Sequence, residues 1–233
     1  MNPVFDVVRD LIADVEKTQQ ESIEQAAVAC ADAIEKGGIL QAFGSGHSEA
    51  GAMEVAHRAG GFIPTKKILE PARGAYEGIE GVGTSFMKKV DIRSNDVLVL
   101  ISNSGRNPLA IEMAIEAKKK GAKIVVITSM ASTTVLPSKH SSGKNLYQYG
   151  DVVIDNCVKE GDAMISLEGL DTEICGMSAI TTAMIIQAAV LKTAEILLAQ
   201  GIVPPVFKSQ NIIGGAEYND KLVAKYFDRI YHI

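Results

Sequence analysis

Two short polar turns hold the residue types best suited to chemistry in this sequence. Gly44-Ser45-Gly46-His47-Ser48 follows the apolar run 39–43, and Ser102-Asn103-Ser104-Gly105-Arg106-Asn107 follows the apolar run 97–101. Glycine lets a backbone approach a ligand closely, and serine and asparagine offer neutral donors. A helix starting just after such a turn adds free N–H groups and positive potential. Together the two turns make an anion cradle without a lysine, and a phosphate ester is its natural guest. Helix capping alone explains one Ser/Asn turn, but a matched pair, each after a buried apolar run, points to an anion site. The expected binding set is Ser45, Gly46, His47, Ser48, Ser102, Asn103, Ser104 and Asn107, the last also standing where it can cap a helix that begins at Pro108. A dinucleotide site fits less well. Gly44-Ser45-Gly46 begins like GxGxxG and Glu70 imitates the ribose acid, but Glu49 stands at the third glycine position and the next glycine is Gly51. Ser142-Gly143-Lys144 is not a P-loop, because Ser138 occupies the place of its first glycine.

Such turns need a scaffold, and the apolar periodicity supplies one. From Val4 to Ile34 apolar residues recur at helical spacing, ending at Gly37-Gly38, which predicts one long helix or two. A strand at 39–43 leads into a helix reaching about Arg58, and a weaker strand spans 63–69. The run 97–101 suits a strand buried on both faces. Further strands are expected at 124–127 and 152–154, with a helix from Pro108 to Lys120 closed by Gly121. A long helix runs from Thr172 or Ser178 to Ala199, and a final one from Asp220 to Tyr231. Five strands alternating with helices predict an α/β fold, a three-layer αβα sandwich around a five-stranded parallel sheet. All strands of such a sheet end at one edge, so both serine turns belong there, where open α/β sheets bind ligands. Residues 1–36 are expected to form an N-terminal helical extension that either covers a sheet edge or a second subunit or packs on its own domain, and 37–233 the binding domain.

Composition narrows the function classes. With 233 residues, 47% apolar and 22% charged, the chain can bury a proper core and needs no disulfide staples. A net charge of −5 without a basic block argues against nucleic acid. Three scattered cysteines, Cys30, Cys157 and Cys175, fit neither a disulfide framework nor a zinc motif, and a reducing cytoplasm is expected. The N-terminal residues lack a signal-peptide pattern. The apolar stretch 180–199 is broken by Gln187, Lys192 and Glu195, so no membrane span is predicted. No motif calls for a cofactor. Glu54 and His57 form one ExxH pair, but a di-metal site would need a second, so no metal site is expected.

GSGHS at 44–48, ISNSGRNP at 101–108, and Glu173 followed by Ser178-Ala179-Ile180-Thr181-Thr182 resemble the sugar isomerase (SIS) family over about residues 37–205. Its members include the isomerase half of glucosamine-6-phosphate synthase, sedoheptulose-7-phosphate isomerase, arabinose-5-phosphate isomerase and N-acetylmuramic acid 6-phosphate etherase. With its N-terminal helix and the tail FKSQNIIGGAEYN at 207–219, the whole chain most resembles bacterial single-SIS proteins regarded as phosphosugar isomerases or phosphosugar-binding proteins. The resemblance implies the SIS fold and a sugar phosphate gripped by Ser102, Asn103, Ser104 and Asn107, with Ser45, Gly46 and Ser48 on phosphate or sugar hydroxyls. It also implies a homodimer or homotetramer with sites near the subunit interface. Catalytic positions match less closely. His47 replaces the first-turn lysine of arabinose-5-phosphate isomerases, Glu70-Pro71-Ala72 their His-Pro-Ala, and His57-Arg58 the helix acid of sedoheptulose-7-phosphate isomerases.

Aldose–ketose isomerisation through an enediol needs a base beside C1 and C2 and an acid beside the carbonyl oxygen. The candidates are Glu70, at the end of a predicted strand; Glu173, in the place of a frequent family glutamate; and His57, which Glu54 can orient on one helix face. His140 lies on the same sheet edge and can arrive as a lid, while Asn211 and Glu217 can reach a neighbour's site. The sequence therefore reads as a cytoplasmic phosphosugar isomerase. The alternatives are a non-catalytic phosphosugar sensor, which would need a protein partner because residues 1–36 cannot supply a DNA-binding domain, and an amino-sugar-phosphate lyase or etherase.

Overall fold

The computed structural model describes residues 2–231. The N-terminal amphipathic stretch is two helices, α1 (Pro3–Thr18) and α2 (Gln20–Glu35), separated at Gln19. Asn2 caps α1 by accepting the Val4 N–H, and Pro3 occupies the first turn, where a missing N–H costs nothing. The core units follow in chain order: β1 (Leu40–Gly44), α3 (Glu49–Val55), β2 (Thr65–Lys67), α4 (Val82–Met87), β3 (Val97–Ile101), α5 (Pro108–Lys119), β4 (Lys123–Thr128), α6 (Met130–Thr133) and β5 (Val152–Asp155). A hairpin of β6 (Ala163–Ile165) and β7 (Ile174–Gly176) precedes the long α7 (Ser178–Ala199), and α8 (Gly215–Val223) and α9 (Phe227–Ile230) close the described chain.

The sheet order is β2-β1-β3-β4-β5, with every pairing parallel. The three-layer expectation and the five-stranded parallel sheet therefore stand. Strand residues alternate between faces, as the two-residue period requires. Leu40, Ala42, Val97, Val99, Val125 and Ile127 pack with α2, α3 and α7, while Phe43, Leu98, Leu100, Ile124 and Val126 pack with α4 and α5. Helix α2 thus contributes Ile23, Ala26, Cys30 and Ile34 to the main core. Helix α1 lies with the hairpin in a smaller cluster around Leu11, Val158, Ile165 and Met177.

Several expected elements differ. The first core helix ends at Val55 rather than Arg58, and the second strand is a three-residue edge strand, Thr65–Lys67, paired only with β1. The antiparallel hairpin had no periodic signal in the sequence. The single final helix expected over 220–231 is instead two, broken between Ala224 and Tyr226. That break brings Arg229 to the buried carboxylate of Asp96, 2.6 Å away. Asp96 also accepts the Ile39 and Arg93 amides and the Gln41 side chain, so four donors satisfy one buried charge at the strand-start edge.

Candidate functional site

The site begins where neighbouring strands β1 and β3 stop, with Gly44 in register with Ile101. From β1 the chain turns into α3 on one face and pairs outward as β2; from β3 it turns into α5 on the other face and pairs outward as β4. The two connections diverge and leave a crevice between them, the switch point at which open α/β sheets bind ligands. Both serine turns line it. A cleft of about 450 Å³ holds Ser45, Ser48, Ser102, Asn103, Ser104 and Asn107 in one wall system. His47 and Ser48, with Asn103, border a small adjoining hollow beside the start of α7.

Local geometry explains the two sequences. At Gly44 a Cβ would lie 2.1 Å from the Ser48 carbonyl oxygen, so only glycine lets this turn fold back on itself. In the second turn Gly105 has φ +62°, and a Cβ there would meet Thr133 Oγ1 at 2.4 Å. Ser102 Oγ accepts the Gly105 amide at 3.2 Å, Thr128 Oγ1 donates to the Ser102 carbonyl, and Asn156 donates to Asn103 Oδ1 at 2.8 Å. The segment after α6 braces the turn from outside, with the Leu146 amide on the Gly105 carbonyl and Lys139 on that of Arg106. The turn is therefore held in place before any ligand arrives.

Asn107 is the residue before α5, with Pro108 first in the helix, but its side chain makes no capping bond. The Leu109 amide instead donates to the Glu77 carbonyl at 3.2 Å, and Asn107 Oδ1 and Ser45 Oγ are buried without protein partners beside the cleft. The 12-residue α5 directs its positive end at the crevice. The first turn leads into a short 3₁₀ turn and a seven-residue helix, so its share of the cradle is hydroxyls and backbone rather than a helix dipole.

The candidate catalytic groups are less well gathered. Glu70 lies three residues beyond β2, buried, with its two oxygens accepting the Ala72 and Gly74 amides at 2.6 Å each, so its carboxylate shapes its own loop. Glu173 sits at the hairpin with Lys159 and Ser166, and the hydrogen bond from Lys159 holds its carboxyl below the usual range. It does not line the cleft. His57 follows the end of α3 with φ +56°; its amide donates to Thr65 and its ring stacks on Tyr231 at 6.1 Å. Thr65 begins β2, so His57 is at the strand-start edge, away from the cleft, and burial lowers its pKa. Glu54 pairs with Arg58 and Gln187 instead of orienting His57, because the helix has ended before residue 57. His140 is nearly buried against Glu80 and Glu112, and Asn211 and Glu217 are exposed.

The cleft has charged walls that the motifs did not announce. Glu77 faces it half-buried, with no hydrogen bond or ion pair to its carboxylate among the described residues. Arg106 also lines it, with Nε buried and unpartnered. Glu160 and Asp162 stand at the rim, Asp162 spending its oxygens on the Met177 and Ser178 amides and the Ser178 hydroxyl at the head of α7. Glu77 lies in a glycine-rich segment without periodicity, so no spacing along the chain marks it. Arg106 lies inside the second turn and was legible there as a cation.

Fold and site together define an SIS domain, whose family model matches residues 5–129. A UPF0309 protein of Listeria monocytogenes is 48% identical over 229 residues, covering 98% of each chain. Another, of Geobacillus sp. (strain WCH70), is 38% identical over 97% of this chain and 95% of its own. This chain belongs to the UPF0309 family of SIS-domain proteins. Among solved structures, a phosphoheptose isomerase from Francisella tularensis superposes with a TM-score of 0.59 at 15% identity, over 83% of this chain and 96% of that one. Vibrio vulnificus NanR, solved with ManNAc-6P, gives 0.51 at 12% identity over 99% and 71%. At such identities the likeness is one of fold.

Proposed function

We propose that this chain binds a sugar phosphate in the crevice between β1 and β3 and interconverts its aldose and ketose forms. The observation that carries the reading is the meeting of the two serine turns, the second of them braced, and the head of α5 around a cleft that Glu77 lines half-buried and without a protein partner for its carboxylate among the described residues, while Glu160 stands exposed at the rim. Ser45, Ser48, Ser102, Ser104 and Asn107 hold the phosphate, with Arg106 adding charge. Phosphate contacts made far from the reacting carbons supply binding energy that orients C1 and C2. Glu77 takes the proton from C2 of the aldose, the C1–C2 enediol forms as a water in the open cleft gives a proton to the carbonyl oxygen, and the proton held by Glu77 returns at C1 as O2 gives its own proton to the hydroxide left by that water. His47 meets the sugar hydroxyls at the neighbouring hollow. The positions of Glu70, Glu173 and His57 within one chain favour structural roles for them. The names of the Francisella isomerase and the NanR complex agree with a sugar-phosphate guest.

Two features support the accompanying reading of a cytoplasmic homodimer or homotetramer. Helix α7 is long and apolar enough on length and composition to cross a membrane, yet Thr181, Ile185, Ile186 and Leu197 pack into the core while Leu191 and Leu198 stay about 60% exposed. A second copy is the cover such a face fits. The cysteines are free thiols.

The test compares sugar phosphates with their unphosphorylated parents by thermal shift, then incubates the best binder in deuterated water under proton NMR. Phosphate-dependent stabilisation with deuterium entering at C1 or C2 is expected, and Glu77→Gln should abolish exchange while leaving binding within about threefold, since it removes a group used in the transition state. Binding without exchange would replace the isomerase with a sensor or an elimination enzyme. No preference for phosphate would end the cradle argument.

A further inference from the structure

Glu80, Glu112 and His140 come from three separate segments and converge with their ligand atoms within 4.8 Å of one another. His140 Nε2 is 3.4 Å from Glu80 Oε1 and 3.8 Å from Glu112 Oε1. Around tetrahedral zinc, with bonds of about 2.0–2.1 Å, neighbouring ligand atoms stand about 3.3–3.4 Å apart, so both histidine separations are within about 0.5 Å of that spacing. Two of the three side chains are nearly buried, His140 at 10% exposure and Glu112 at 4%. Glu112 is set by the Gly81 and Thr84 amides, and Glu80 by the Ser141 amide and hydroxyl. Behind the imidazole, Nδ1 lies 2.8 Å from Ser142 Oγ, which Tyr149 in turn contacts at 3.1 Å. The Ser142 amide donates to Nδ1 at 3.1 Å and Ser142 Oγ already accepts from Tyr149 and the Lys144 amide, so in the absence of an ion the ring proton sits on Nε2 and an ion must displace it, moving it to Nδ1 beside Ser142 Oγ.

We propose that Glu80, Glu112 and His140 form a binding site for one divalent transition ion of the zinc type, with a fourth position open to solvent. One imidazole and two carboxylates suit such an ion better than calcium, which takes six to eight oxygens, or magnesium, which keeps most of its waters. The site is separate from the sugar cleft, but Glu80 stands three residues after Glu77, so the ion would pin the segment bearing Glu77 to α5 and to the loop around His140. In the tautomer that the Ser142 amide selects, the protonated Nε2 stands between the two carboxylates, 3.4 Å from Glu80 and 3.8 Å from Glu112. That proton and a bound ion exclude each other, so ion uptake decides between them.

The experiment strips the full-length protein with a chelator and titrates Zn²⁺ by calorimetry, with metal content and thermal midpoint measured in parallel. One equivalent bound with a rise in midpoint is expected, Glu80→Gln and His140→Ala should each lose that equivalent, and Ser142→Ala should weaken it about 10–100-fold. Because His140→Ala also removes the imidazole between the carboxylates, the milder Glu80→Gln and Ser142→Ala keep the test sound if that variant unfolds. No stoichiometric uptake, or uptake unchanged in these variants, would overturn the site. None of these readouts depends on a sugar phosphate, so the isomerase reading and the metal site fail or survive separately.

Discussion

Gly105 offers the sharpest test of how the second serine turn is built. In Gly105→Ala the new methyl would lie 2.4 Å from Thr133 Oγ1 and 3.1 Å from Thr128 Oγ1, at φ +62°. The left-handed backbone costs an L-residue about 1–2 kcal/mol, and forcing a methyl into a packed site costs about 1–3 kcal/mol. A loss of about 2–5 kcal/mol in urea unfolding is expected, with weaker phosphate-ester binding because the methyl pushes Ser104 and Arg106 out of line. The two contributions can be separated. Thr133 Oγ1 is buried without a partner, so removing it leaves no orphaned group behind. Thr133→Ala alone should cost only about 1 kcal/mol, the worth of a buried methyl. In the double variant the steric share should return and the backbone share remain, giving a favourable coupling of about 1–3 kcal/mol in a double-mutant cycle. A neutral Gly105→Ala, or a pair whose effects simply add, would refute the close approach of turn and α6.

Three further outcomes follow from particular contacts. Ser104→Ala should weaken phosphate-ester binding about tenfold or more by calorimetry, the worth of about 1.5–3 kcal/mol for a hydrogen bond to a charged group, and leave the unphosphorylated sugar unaffected. Arg229→Ala strands the buried charge of Asp96; denaturant unfolding should lose about 3 kcal/mol, the low end for a broken buried pair, because three other donors remain. The burial that lowers the His57 pKa from 6.5 makes its contribution to stability complete above pH 6.5. That contribution falls away as the pH drops from there towards the folded-state value, because the unfolded chain takes up the proton first. His57→Asn, which tolerates φ +56°, should flatten thermal midpoints across that window; an unchanged slope would place the pH dependence elsewhere.

Most of the architecture was legible because it rests on local signals. The continuous apolar runs at 97–101 and 124–127 name strands buried on both faces, Asn107-Pro108 marks a helix start, and alternation of strands with helices fixes a parallel sheet and hence a common edge. The cradle was legible for the same reason, since its serines and glycines are contiguous in two turns whose strands had to end together. The hairpin of β6 and β7 was not, being two three-residue strands held by the α1 cluster and the head of α7. Glu70 illustrates the limit for side chains. Its place after a strand suggested a free carboxylate, but the loop that follows turns back and gives both oxygens to its own amides.

By itself, then, the sequence determined the fold class, the family and the placement of the two serine turns at one sheet edge, because each depends on residues near one another in the chain. Tertiary structure alone decided that Glu77 faces the cleft, that His57 lies at the opposite edge beside Tyr231, that Arg229 returns to Asp96, and that Glu80, Glu112 and His140 meet. Those placements depend on where loops of weak local preference settle when distant segments pack, and no spacing along the chain encodes them.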